Sequence, residues 1–216
     1  MEAAIIREDH IIRDEAALRA RFPDCHPLAA LKSQPTLDKH SIAFIERSPF
    51  LCLGTQTKEG QGDVSPRGDP PGFVKILDER TLLIPDRPGN NRLDTLSNII
   101  NNPSVGLLFL IPGFDDTMRV NGTAQITTDP ELLETLSIKE RVPTVAIVVT
   151  VEEVFIHCAK AFRRSKLWDP ASHQERGALP SIAQIILDQT AQMPEDPKEM
   201  AKIDADIEEE YKKTLY

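Results

Sequence analysis

The chain has 216 residues, 40% of them hydrophobic, and a formal net charge of −9 at pH 7, enough length for one large core. Affinity for a phosphate backbone needs a cationic surface, so this balance excludes a general nucleic-acid binder and makes any anion site local. The longest apolar runs, VGLLFLI and TVAIVV, fall far short of the roughly 20 residues of a membrane helix.

Residues 1–48 read as an N-terminal helical extension. DEAALRARF and DKHSIAFIERS are its amphipathic pieces, the second placing Ile42, Phe44 and Ile45 near one side. The opening MEAAIIREDHIIRDE lacks the apolar centre of a signal peptide, so a cytoplasmic protein without membrane or nucleic-acid partners is expected.

From Phe50 the period changes, and residues 49–170 form the expected β domain. FLCLGTQT, FVKIL, TLLIP, SVGLLFLIP, TMRVNGTAQIT and TVAIVVTVEEVFIHC are short, rich in Val, Ile, Phe and Thr, and separated by Gly and Pro. Six strands in about a hundred residues predict a β-barrel or sandwich. Within the fifth, NGT at Asn121 reads as a hairpin turn.

Two helices interrupt the strands. NRLDTLSNIINNP carries Leu93, Leu96, Ile99 and Ile100 as a stripe, with Asn91 as its N-cap and Pro103 as its stop. TDPELLETLS opens on an Asp-Pro pair suited to the cap and first turn. Residues 171–216 read as a C-terminal helical extension: a loop, SIAQIILDQT, and a charged helix whose Met200, Ile203, Ile207 and Tyr211 need a surface to cover, on this chain or a second subunit.

Candidate chemistry lies in three basic loop regions of this acidic chain. GDVSPRGDPPGF holds Ser65 and Arg67 at the end of an expected strand beside a stiff Pro-Pro turn, DRPGNNR brings Arg92 to the start of a helix, and HCAKAFRRSKLW gathers Arg164, Ser165 and other bases ahead of Trp168, the single tryptophan. A helix N-terminus offers unpaired N–H groups and partial positive charge, so an arginine beside it suits a phosphate. Trp168 could stack on a planar ligand. Taken singly, each cluster reads first as an ordinary turn, a solvated strand end or a core anchor. Cys25, Cys52 and Cys158 lack C-x-x-C spacing and the five histidines are dispersed, so reduced thiols and no metal are expected. No G-x-G-x-x-G, Walker lysine or G-x-S-x-G elbow occurs.

The order of these stretches resembles the pyridoxamine 5′-phosphate oxidase-related, FMN-binding split-barrel family over about residues 41–170. The likeness is nearest to a bacterial branch in which DVSPRGDPPGF, IPDRPGN, NP.VGLLFLIPG and RVNG.A.ITTDPELL occur together. It implies a mainly β fold with flanking α-helices, a six-stranded antiparallel split β-barrel that forms a homodimer and binds FMN at the subunit interface. It also implies that Ser65, Pro66 and Arg67 line the flavin, that Asn91 and Arg92 take its phosphate, and that Arg164, Ser165 and Trp168 reach the cofactor from the partner subunit. The implied activity is an FMN-dependent oxidoreductase, the alternative a non-catalytic flavin- or haem-binding protein. The family's true oxidases end in a tryptophan- and arginine-bearing segment that clasps the substrate phosphate; this chain ends in DADIEEEYKKTLY, which speaks against oxidation of pyridoxamine phosphate itself.

Overall fold

The structure, a computed structural model, describes residues 6–194 and 196–216. It divides into two compact units, residues 1–33 and 34–216. In the first, α1 (Glu15–Arg19) is capped by Asp14, whose carboxylate accepts from the Ala17 N–H at 2.8 Å, and α2 (Pro27–Leu31) starts on a proline that has no N–H to leave unpaired. None of its described residues is buried.

The second unit opens with α3 (Lys39–Arg47), which Asp38 and Ser41 start as a reciprocal capping box; hydrogen bonds from the Ser41 and His40 N–H groups hold the Asp38 carboxyl below its usual range. Its Phe44 and Ile45 are buried. Among the described residues, seven strands follow in one antiparallel sheet: β1 (Phe50–Gln56), β2 (Gly62–Gly68), β3 (Lys75–Asp78), β4 (Thr81–Pro85), β5 (Ser104–Leu110), β6 (Thr117–Thr127) and β7 (Ala146–His157). Their order is β2-β1-β5-β6-β7-β4-β3. This is the mainly β split-barrel class that the sequence implies, with one strand more than the six predicted. The additional strand is β2, GDVSPRG, which lies outside the six apolar runs but agrees with the strand expected to end at Ser65 and Arg67. Pro66 fits there because β2 is an edge strand, where a missing N–H breaks no second ladder.

Alternation fills the core: Leu51 and Leu53 of β1, Leu107 and Phe109 of β5, Val120 of β6 and Ile147, Val149 and Val151 of β7 are all essentially inaccessible. Asn121 and Gly122 lie within β6, not in a hairpin turn. The register shifts between them, Asn121 facing Glu153 and Gly122 facing Val151, so Glu152 is the extra residue of a β-bulge. A Cβ at Gly122 would collide with the Thr150 carbonyl oxygen.

Between β4 and β5 lies α4 (Asp94–Asn101); α5 (Pro130–Glu134), capped by Asp129, precedes β7. The sheet domain is followed by α6 (Lys160–Ser165), α7 (Ile182–Gln189) and α8 (Pro197–Thr214). RRS therefore lies on a short helix, not a strand end. Met200 of α8 is buried, as is Ala183 of α7, and Ile203 and Ile207 are half-buried; Tyr211 remains exposed. No helix of the described residues is long and apolar enough to cross a membrane.

Candidate functional site

A cleft of about 960 Å³ opens along β2. Its walls are residues 63–68 of β2, the stretch 85–96 that leaves β4 and enters α4, residues 138 and 141–145 on the approach to β7, Phe73 and Tyr216. The volume suits a ligand of nucleotide size. Ser65, Pro66, Arg67, Asn91 and Arg92 come together here, although the two sequence stretches are more than twenty residues apart.

The helix start differs from the one predicted. Asn91 is not the cap: it and Leu93 both take left-handed backbone, at φ 56° and 59°, and the helix begins at Asp94 with Leu93 in the cap position. No side chain caps it. Of the predicted stripe, Ile99 is buried and Leu96 packs half-buried on the core, but Leu93 and Ile100 are exposed and Thr95 and Asn98 are buried instead. Polar Asn98 points inward, where its Nδ2 donates to Thr55 Oγ1 at 3.1 Å and to Asp63 Oδ2 at 3.4 Å. The uncapped first turn of α4, Asp94–Leu96, is part of the cleft wall, so its N–H groups and partial positive charge are presented to the cavity.

Three of the four arginines that line the cleft pair with an aspartate. Arg67 Nη1 meets Asp86 Oδ1 at 2.6 Å, Arg87 Nε meets Asp69 Oδ2 at 2.6 Å, and Arg92 Nε meets Asp94 Oδ2 at 2.8 Å. The first two pairs are largely shielded, with Asp69 only 1% exposed; Arg92 and Asp94 lie in solvent. Asp94 raises the pKa of Arg92 through this hydrogen bond. Arg67 differs from the other two, because its Nε is buried with no hydrogen-bond partner. A guanidinium that lines the cleft and is fixed on one edge by a carboxylate is a pre-oriented cation.

Sequence reasoning missed Asp69, Asp86, Arg141 and Tyr216. The Tyr216 hydroxyl donates to Asp69 Oδ1 at 2.8 Å, and that carboxylate holds the phenol above its ordinary pKa. Arg141 donates to the Tyr216 backbone oxygen. Nothing local marks either residue, since both matter through chain segments that meet only in three dimensions.

Arg164, Ser165 and Trp168 do not line this cleft. They lie on and after α6, beyond His157, whereas the cleft borders residues 144–145 just before β7. The twelve residues of β7 separate the two places by roughly 35 Å of extended chain. Trp168 Nε1 donates to the Phe114 carbonyl at 2.7 Å and its ring stacks on Phe162; Arg163 Nε reaches Asp115 Oδ2 at 3.2 Å.

A family model described as pyridoxamine 5′-phosphate oxidase matches residues 37–158, more than half of the 216-residue chain. The chain belongs to that family. The pyridoxamine 5′-phosphate oxidase match runs from just before α3 to just past β7; it includes Ser65, Pro66, Arg67, Asn91 and Arg92 and stops before Arg164, Ser165 and Trp168. Similar solved structures include HupZ of Group A Streptococcus, 19% identical over 56% of this chain and 93% of that one, with a TM-score of 0.46. General stress protein 26 of Bacillus anthracis is 16% identical over 53% and 88%, at 0.42, and an FMN-binding protein of Syntrophomonas wolfei 11% identical over 54% and 80%, at 0.40. No curated protein matches the chain. Among the described residues, no group of three or more His, Cys, Asp or Glu side chains could hold a metal.

Proposed function

We propose that the chain is an FMN-binding flavoprotein oxidoreductase of the pyridoxamine 5′-phosphate oxidase family, acting on a substrate other than pyridoxamine phosphate. One observation carries the reading: the guanidinium of Arg67, clamped by Asp86, and the uncapped N-terminus of α4 belong to the same nucleotide-sized cleft. Together they suit the phosphate of FMN, with Arg92 adding charge from the rim and Asn91 backbone freedom. Hydrogen bonds to a charged group are worth about 1.5–3 kcal/mol each, so two or three such donors hold a phosphate against water. Ser65 and Pro66 would border the remainder of the cofactor along the edge strand. Bound FMN supplies the hydride or electron transfer. The chain's own part is to neutralise the phosphate, orient the ring against β2 and exclude water from it.

We also infer a homodimer. The outward face of the sheet carries Cys52, Leu108 and Leu110 together with Gly54 paired to Gly106, all only half-buried; such a low, partly apolar face suits a second copy. In that assembly the partner's α6 region would bring Arg164, Ser165 and Trp168 to the cofactor. The exposed free thiols of Cys25 and Cys158 fit a reducing, cytoplasmic setting.

Titration of the purified full chain with FMN tests the reading. A yellow protein of dimeric mass by sedimentation, whose flavin absorbance bleaches under a reduced nicotinamide nucleotide, is expected. Colour without bleaching assigns a non-catalytic binding role, and a protein that takes up no FMN overturns both.

A further inference from the structure

We propose that the tail after α8 is a strap that Tyr216 fastens across the rim of the cleft, and that Asp69 and Arg87 tie its fastening to occupancy of the cleft. Tyr216 is attached at three places. Its hydroxyl donates to Asp69 Oδ1 at 2.8 Å, its ring lies under Lys139 Nζ at 4.8 Å from the centroid, and its backbone oxygen accepts from Arg141. The anchor is a nearly inaccessible carboxylate whose other oxygen takes Arg87 Nε at 2.6 Å. Arg87 and Tyr216 both line the cleft, so one buried acid is shared between strap and ligand site.

The turn that supplies Lys139 and Arg141 is built at a cost. Ile138 and Arg141 exchange two backbone hydrogen bonds, at 3.1 and 2.9 Å, and the residues between them, Lys139 and Glu140, have φ 49° and 62°. Positive φ at both central positions is the pattern of a primed hairpin turn, which favours Asn-Gly. Lys and Glu there are strained, and both residues flanking Glu140 hold Tyr216. This arrangement goes beyond a helix merely ending near a sheet.

Sharing of Asp69 sets the direction of coupling. An anion that draws Arg87 toward the cleft leaves the buried carboxylate in greater need of the Tyr216 hydroxyl, because an unpaired buried charge is costly. The strap therefore tightens behind a ligand. By linkage, a fastened strap favours binding in equal measure.

The proposal rests on the cofactor reading only for the ligand used in one arm of its test. In a chain with Cys25, Cys52 and Cys158 changed to serine, a thiol introduced by Ser65→Cys reports access to the cleft without any flavin. Ending the chain after Leu215 should speed its modification by a maleimide several-fold. FMN should also leave the shortened chain about tenfold faster than the full one. The chain has two tyrosines, so Tyr211→Phe in protein labelled with 3-fluorotyrosine leaves one fluorine resonance. That resonance should stand away from free 3-fluorotyrosine, move further on addition of FMN, and collapse to the free position in the Lys139→Ala/Arg141→Ala variant. Faster thiol modification with no FMN uptake sinks the cofactor reading and leaves the strap. Uptake of FMN with both rates unchanged overturns the strap and keeps the cofactor, and a lowered unfolding temperature with unchanged rates makes Tyr216 a structural anchor only. Rates unchanged with no FMN uptake overturns both.

Discussion

The two ends of β7 carry similar sequence chemistry in different physical states. At its start, Arg67 and Arg87 are 15% and 18% exposed and each is clamped by an aspartate; beyond its end, Arg163 is 74% exposed and leans on Asp115. Both regions hold bases in an acidic chain, single arginines at the first and the run KAFRRSK at the second. What separates them is burial, which converts a flexible cation into a fixed one, and fixed charge is what recognition of an anion requires.

The largest effect that could break this contrast is Arg67→Ala. It leaves Asp86 shielded without its cation and removes the unpaired donor, so folding stability should fall by about 3 kcal/mol, read by denaturant unfolding, and FMN titration should show affinity reduced at least a hundredfold. Unchanged FMN affinity would move the phosphate elsewhere in the cleft. Arg92→Ala should be milder, about a tenfold loss of FMN affinity with stability hardly altered, because its pair with Asp94 lies in solvent.

At the other end, Trp168→Phe removes the hydrogen bond to the Phe114 carbonyl and should cost about 1 kcal/mol by thermal unfolding. The same variant sharpens the comparison: a change in flavin absorbance or affinity would mean that the far end meets the cleft of a second subunit. Acid titration supplies a reference at the start of α3. The Asp38 carboxyl sits below its ordinary 3.8, so its cap stabilises α3 fully above that value and the contribution disappears as pH falls through the lowered one. Asp38→Ala should remove about 1 kcal/mol at neutral pH and flatten the acid limb of a stability-versus-pH curve. Arg163→Ala should have the smallest effect, under about 0.5 kcal/mol.

Much of this contrast was invisible before folding. Strand cores were legible because Leu51, Leu107 and Val149 sit in alternating or apolar runs, and α5 because Asp129-Pro130 announces itself. β2 was legible as a strand ending near Ser65 and Arg67, but its edge position, which lets it hold Pro66 and two glycines, is a property of the whole sheet. The start of α4 was misread at Asn91 because cap preference is weaker than the tertiary pull that buries Asn98 against Thr55. Ser65, Arg67 and Arg92 could be selected as bases and polar residues near turns. Their partners could not, since Asp69, Asp86 and Tyr216 become relevant only through contacts between distant segments.

The bulge at Glu152 has a consequence for how the gene can change. Val151 and Val154 both point inward because one residue is spent between them, with Gly122 opposite leaving no space for anything larger. Losing the Glu152 codon would close the bulge and leave Val151, Glu153 and Val154 in plain alternation, with Val154 still inward and Phe155 and His157 still on the other face. A codon lost anywhere else in the strand would instead act as a frame error in three dimensions, sending every residue beyond it to the opposite face.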